Sequence, residues 1–205
     1  MKILHLDERL IVLDKPSGLL AVPGRGPELR DSLAARVQEQ YPEALVVHRL
    51  DRDTSGVMVM ARDIEAQRRL NRQFHDRLVA KHYVTVVYGD PREDAGRIEL
   101  AMRKDFDRPP RHMVDPVEGR IAITDWRVLD RRGIHTRLEL CPLTGRSHQL
   151  RLHMAHVGHP VLGDPLYAHD TARLLAHRLL LHAHTLSLTH PATGEWATWT
   201  AECPF

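Results

Sequence analysis

Residues 48–56 read His48-Arg49-Leu50-Asp51-Arg52-Asp53-Thr54-Ser55-Gly56, a charged insert between the apolar runs Ala44–Val47 and Val57–Ala61. A carboxylate at the end of a buried strand costs desolvation free energy unless donors or a cation face it. Asp51 therefore belongs either to a structural ion pair or to a reaction. Taken alone, the stretch favours the ion pair, because most Asp in Arg-rich surroundings are solvated pairs of small energetic value. Asp51 and Asp53 also offer two carboxylates, the equipment of a glycosidase. Residues i and i+2 share a face only on a true strand, however, and Thr54-Ser55-Gly56 reads as a turn.

Two further stretches carry groups with chemical potential. Lys81 to Gly89 alternates and is rich in β-branched residues, so it predicts a strand with Lys81, Tyr83, Thr85 and Val87 on one face. Tyr83 is either a core packer there or a site residue. Leu143-Thr144-Gly145-Arg146-Ser147-His148-Gln149-Leu150-Arg151-Leu152-His153 opens a helix, with Thr144 or Ser147 as its cap. Four residues separate Arg146 from Leu150 and place them on one helical face; Arg151 lies off it. The chain has 15 His, with His153, His156 and His159 at intervals of three, but no His-Glu-x-x-His pattern. Its two cysteines, Cys141 and Cys203, match no zinc spacing. No metal is expected.

The elements that must position these groups follow from periodicity and punctuation. Leu10–Leu13 is a strand that runs into a turn at Lys15-Pro16-Ser17-Gly18. Asp31 or Ser32 caps a helix to about Tyr41, with Leu33, Val37 and Tyr41 on one side. Ala44–Val47 and Val57–Ala61 are buried strands. Asp63 caps a helix to about Val79, with Ala66, Leu70, Phe74 and Leu78 as its buried stripe. Arg68, Arg69, Arg72 and Arg77 lie off that stripe, either as a solvated face or as a track for RNA phosphates. After a strand at Ile98–Met102, residues 104–120 form an irregular, Pro-rich, basic segment, a stiffened hairpin or a clamp. Ile121–Leu129 and Ile134–Cys141 form an antiparallel pair. A rigid loop (158–167), a short helix from Asp170 to Arg178, a strand (Leu179–Leu188) and a closing hairpin complete the chain. Without repeat or linker, residues 1–205 read as one domain.

The bulk properties narrow the class. A chain of 205 residues supports one good core, and 42% hydrophobic with 27% charged residues excludes a disordered chain. A net charge of +2 excludes a histone-like binder, so contact with nucleic acid must come from local Arg clusters. Two cysteines, no signal-peptide core and no long apolar run point to a soluble, cytoplasmic protein without membrane contact.

The motifs taken together resemble the RluA family of pseudouridine synthases. The resemblance rests on Lys15-Pro16-x-Gly18, His48-Arg49-Leu50-Asp51-x-x-Thr54-Ser55-Gly56, Lys81-x-Tyr83, Leu143-Thr144-Gly145-Arg146-x-His148-Gln149-Leu150-Arg151-x-His153, and Gly158-His159-Pro160-x-x-Gly163-Asp164-x-x-Tyr167, in the family's order. It implies an α+β catalytic domain with a mixed, mostly antiparallel sheet, flanking helices, a central cleft and no S4 RNA-binding domain. It implies that Asp51 is the nucleophile and that Tyr83 and Arg146 complete the catalytic set. Arg49, Leu150, His48 and Arg151 are expected to bind substrate: Arg49 near the flipped-out base, Leu150 as an apolar wall. The family often has Ala two residues after its Tyr; Thr85 stands there in this chain. The reaction implied detaches uracil from ribose C1′ and rejoins it through C5, with no redox step, so no cofactor is expected. The partner implied is a structured stem-loop of 23S rRNA or of tRNA (its anticodon arm), handled by a monomer. A purely RNA-binding module is the competing class, but a stacking sheet needs aromatics, which make up only 5% of this chain.

Overall fold

Residues 2–205 are described by a computed structural model. In chain order the elements are β1 (Lys2–Leu6), β2 (Leu10–Lys15), α1 (Leu33–Gln40), β3 (Leu45–Val46), β4 (Ser55–Ala61), α2 (Ile64–His75), β5 (Ala80–Tyr88), β6 (Ala95–Lys104), β7 (His112–Val114), β8 (Arg120–Arg132), β9 (His135–Pro142), α3 (Gln149–His156), α4 (Asp170–Leu174), β10 (Leu181–Thr189) and β11 (Trp196–Thr200). The chain divides into two compact units, residues 2–81 with 182–205, and residues 82–181.

In the first unit the strand order is β1-β2-β4-β10, with β11 also on β10 and β3 also on β4. All pairings are antiparallel except β4 with β10, which is parallel, so the sheet is mixed. All seven residues of β4 are buried, which explains why Val57–Ala61 reads as an unbroken apolar run rather than an alternation. Leu10, Val12, Val57, Val59 and Ala61 meet Ala66 and Leu70 of α2, with Phe74 packed against them. The carboxylate of Asp63 caps α2 by accepting from the N–H groups of Glu65 and Ala66. The helix ends at His75, short of the expected Val79, because Arg77 adopts a left-handed φ of 59°. Leu78 thereby leaves the helical period and is 58% exposed instead of joining the stripe. Ser32, not Asp31, caps α1; Asp31 pairs with Arg36. Ala44–Val47 contributes only the two-residue, half-buried β3 rather than a buried strand.

The second unit is antiparallel throughout, in the order β5-β9-β8-β6-β7. One face of its strands (Val87, Ile98, Leu138, Leu140) packs against Leu150 and Met154 of α3, together with Val161, Leu179 and Leu181. The segment 104–120 is a hairpin arm, with β7 paired to β6. Neither Thr144 nor Ser147 caps α3. His148 occupies that position in a left-handed conformation (φ 57°) with no side-chain cap, so Arg146 precedes the helix and the four-residue spacing to Leu150 does not set its direction. Likewise α4 is capped by His169 and stops at Leu174. Few helices accompany mostly antiparallel, mixed strands, an α+β arrangement. Among the described residues no helix is long and apolar enough to cross a membrane.

Candidate active site

In the first unit the segment carrying Asp51 is a turn held by a second motif. Lys15 is fully buried, and its Nζ donates to the carbonyl oxygens of Pro16 (2.9 Å), Leu19 (2.7 Å) and Arg52 (2.8 Å). The N–H of Gly18 donates to the same Arg52 carbonyl at 3.0 Å. The Ser17 hydroxyl donates to the carbonyl of Asp53 at 2.7 Å. Thr54 closes the turn by donating its N–H to the Asp51 carbonyl at 3.2 Å. The turn is thus Asp51–Thr54, ahead of the expected Thr54-Ser55-Gly56, and Ser55 and Gly56 already belong to β4. Asp51 and Asp53 lie in this turn, half-buried, rather than on a strand. Asp53 receives a bidentate contact from the Arg52 guanidinium.

Below the turn, β4 is locked in place. Gly56 has φ +113°, and a Cβ there would stand 2.1 Å from the carbonyl oxygen of Ala183, so only glycine fits. His182 Nε2 faces the carbonyl of Ala201 at 3.1 Å and must donate, which leaves Nδ1 to accept from the Ser55 hydroxyl at 2.9 Å. His48, expected to touch substrate, is tied into the fold. Its Nε2 accepts from the N–H of Val59 at 3.1 Å, and its ring stacks on Phe74 with centroids 4.6 Å apart. Burial, and next the charge of Lys81, push its pKa down to about 3, so the ring is neutral. Arg49, by contrast, is exposed.

The second unit positions Tyr83, Arg146, Leu150 and Arg151. Tyr83 pairs with Leu140 across β5 and β9 and is half-buried against the core. Arg146 is exposed on a loop that the side chain of Gln149 fixes. Gln149 Oε1 accepts from the Thr144 hydroxyl (2.7 Å) and from the N–H of Arg146 (3.0 Å). Its Nε2 donates to the carbonyl of Ile123 and the hydroxyl of Thr124, both at 3.0 Å. Leu150 is 7% exposed and sits in the core. Arg151, expected on the substrate side, is 2% exposed and makes a bidentate pair with fully buried Asp164, at 2.8 and 2.7 Å. Asp164 Oδ1 also accepts from the N–H groups of Leu166 and Tyr167. The Tyr167 hydroxyl accepts from the N–H of His112 on β7 and bonds His148 Nδ1, both at 2.8 Å. The hairpin arm is therefore anchored to the start of α3.

Sequence reasoning missed Lys15, Gln149, Asp164 and Tyr167 as the parts that hold the loops. Each lies inside one of the five motifs, but fixed spacing gives no sign of what a side chain grips. On α2, Arg68, Arg69 and Arg72 are exposed, as is Arg77 just beyond its end. Arg69 spans Glu65 and the Pro191 carbonyl.

Residues 9–156 match the model of the RNA pseudouridylate synthase family. A dual-specificity RNA pseudouridine synthase RluA from Haemophilus influenzae is 46% identical over 206 aligned residues, covering 100% of this chain and 94% of that protein. The protein of the same description from Escherichia coli strain K12 is 47% identical, covering 99% of this chain and 93% of its own length. Among solved structures, human RNA pseudouridylate synthase domain containing 1 superposes with a TM-score of 0.84 at 27% identity, over 100% of this chain and 84% of that one.

Proposed function

From the premise that the chain belongs to the RNA pseudouridine synthase family, we propose that it isomerises uridines in both ribosomal and transfer RNA, with Asp51 as the nucleophile. The reaction breaks the N1–C1′ bond and forms a C5–C1′ bond. The C5 proton leaves to solvent and N1 takes one up, so no external group or electron is needed. Dual specificity is supported by relatives of that description at 46% and 47% identity over nearly full length.

The observation that carries the assignment of Asp51 is the pinned turn. A carboxylate on a turn held by Lys15, Ser17 and Gly18 through backbone carbonyl contacts is fixed in place while staying half-exposed, as a group that must meet a reacting atom requires. Tyr83 and Arg146 hold the family's remaining catalytic positions. Arg146 brings a permanent charge and a planar fork, on a backbone that Gln149 makes rigid. Arg49, exposed beside Leu50-Asp51, contacts RNA next to the flipped base, and exposed Arg68 and Arg72 on α2 offer cations to the RNA backbone. Leu150 forms an apolar wall from within the core. His48 and Arg151 serve substrate binding by positioning, given that His48 is neutral and half-buried and Arg151 is buried and ion-paired. Residues 1–205 act as one catalytic unit, a monomer in the cytoplasm, a compartment that suits two free thiols.

The test is Asp51→Ala, assayed by tritium release from RNA labelled at uridine C5 and by RNA binding. Release falls to background while affinity for RNA stays within a few-fold. Turnover that survives the substitution overturns the assignment.

A further inference from the structure

On the face of β5 and β9 opposite Tyr83 and Leu140, three side chains of different chemistry converge. Tyr83 pairs with Leu140, so His82 and Cys141 flank that pair as neighbours, and Glu139 stands opposite Val84. His82 Nδ1 lies 3.3 Å from Cys141 Sγ and 3.4 Å from Glu139 Oε1. Cys141 Sγ lies 3.8 Å from Glu139 Oε2. Among the described residues these are the three whose ligand atoms, all within 4.8 Å of one another, come within reach of a single ion. A tetrahedral zinc with metal–sulfur bonds of about 2.3 Å and metal–nitrogen or –oxygen bonds of about 2.0–2.2 Å has edges of roughly 3.3–3.6 Å between its ligands. The histidine-to-sulfur and histidine-to-carboxylate separations already have that length.

We propose that His82 Nδ1, Glu139 Oε1 and Cys141 Sγ form a binding site for a zinc-like divalent cation that clips β5 to β9 behind Tyr83. The surroundings fit the assignment. Arg127 Nε donates to Glu139 Oε2 at 2.6 Å, which orients the carboxylate and leaves Oε1 for the metal, the kind of outer contact that steers a ligand. Asp125, opposite Cys141 on β8, is taken by a bidentate contact from Arg97 at 2.6 and 2.9 Å, so water completes the tetrahedron. A thiolate with an imidazole selects zinc over magnesium or calcium, which prefer oxygen alone. On binding, the sulfur–metal bond replaces the sulfur–hydrogen bond, the proton passes to water, and no oxidation state changes. The site stands whether or not Asp51 is the nucleophile.

The experiment uses the full chain, reduced and stripped of metal, titrated with Co2+ as a spectroscopic stand-in for Zn2+. The expected result is one equivalent bound, with a thiolate-to-cobalt charge-transfer band and tetrahedral visible bands that Zn2+ abolishes. Cys203→Ser keeps the charge-transfer band, Cys141→Ser loses it, and His82→Ala weakens Zn2+ affinity at least tenfold. Alkylation of the wild-type chain, mapped by mass spectrometry, decides the matter even where a variant fails to fold: Zn2+ shields Cys141 and not Cys203. A titration without a thiolate band, a band that survives Cys141→Ser, or equal alkylation of Cys141 with and without Zn2+ overturns the proposal.

Discussion

Replacing Lys15 by Met tests whether the pinned turn is the device that presents Asp51. Met is close to Lys in length and keeps the fully buried stem packed, so the change removes the ammonium group, with its three N–H donors and its charge, and leaves the apolar packing. The carbonyls of Pro16 and Leu19 then lose the Lys15 donor, while that of Arg52 retains the Gly18 N–H. Leaving a buried acceptor without its donor costs about 1–3 kcal/mol. Two such losses, softened because the turn lies near water, come to about 2–4 kcal/mol. For a chain of 205 residues that is a fall in Tm of roughly 4–16 °C. With Arg52 held by one donor instead of two, Asp51 is no longer fixed, and a displacement near 1 Å costs about a hundredfold in turnover. Tritium release under single-turnover conditions reads this loss, and calorimetric unfolding reads the stability. Ser17→Ala, which removes only the contact to the Asp53 carbonyl, should cost about 1 kcal/mol and leave turnover within about tenfold. A Lys15→Met chain with unchanged Tm and full turnover would refute the reasoning, because the turn would then be held by something other than Lys15.

Three further changes probe the scaffold. Arg151→Met strands the buried Asp164 carboxylate and should destabilise by about 3–5 kcal/mol in urea unfolding, with Arg151→Lys a poor rescue because it cannot repeat the two-point contact; a loss below about 1 kcal/mol contradicts this. Gly56→Ala sets a Cβ 2.1 Å from the Ala183 carbonyl at a backbone angle that itself costs about 1–3 kcal/mol, so the variant should unfold at markedly lower urea or fail to accumulate. Acid should destabilise the fold early: His48 and His153 are held near 3 and 4, against 6.5, mainly by burial. Each depressed value means that the unfolded chain binds the proton first, so stability is complete above the ordinary value and declines as pH falls through the window down to the folded one. At about pH 5 each histidine takes away about 2 kcal/mol. His153, whose two ring nitrogens have no hydrogen-bond partner among the described residues, can be replaced by Leu; that variant should hold its neutral-pH stability and show a shallower acid decline, and an unchanged decline would exclude His153 as a contributor.

The regular elements were legible because periodicity reports burial directly. The run Val57–Ala61, a strand from Lys81 to Tyr88 and the helix start at Asp63 all appear where the pattern puts them, although β5 buries four consecutive residues, Val84 to Val87, instead of alternating. What the pattern could not give is conformation decided by single residues. The left-handed Arg77 removes Leu78 from its stripe, and the left-handed His148 takes the cap of α3 from Thr144 and Ser147. Neither is glycine, so neither announces itself. The same limit hid His82, Glu139 and Cys141: two of them are two residues apart, but the third arrives through strand pairing, which no spacing rule for zinc records.

The candidate motifs contain two populations of residue that sequence alone presents as one. Arg49 and Arg146 are exposed and Asp51 half-exposed, all on loops. Lys15, Gln149, Arg151 and Asp164 are buried, and each spends its polar atoms on backbone or on a partner in the fold. A polar side chain with every bond committed inside the protein has nothing left to offer a substrate, whatever motif it belongs to. It can, however, set where its exposed neighbour stands. In Thr144-Gly145-Arg146-Ser147-His148-Gln149 the amide of Gln149 grips the backbone of Arg146 and leaves the guanidinium outside. In Lys15-Pro16-Ser17-Gly18 three of the four residues grip the backbone next to Asp51. Long motifs are therefore what a small number of reactive groups on loops demands: without a regular element beneath them, their positions must be fixed by dedicated buried donors and acceptors. On this ground, substitutions of the buried set should lower turnover and stability together, whereas substitutions of Asp51 and Arg146 should lower turnover alone.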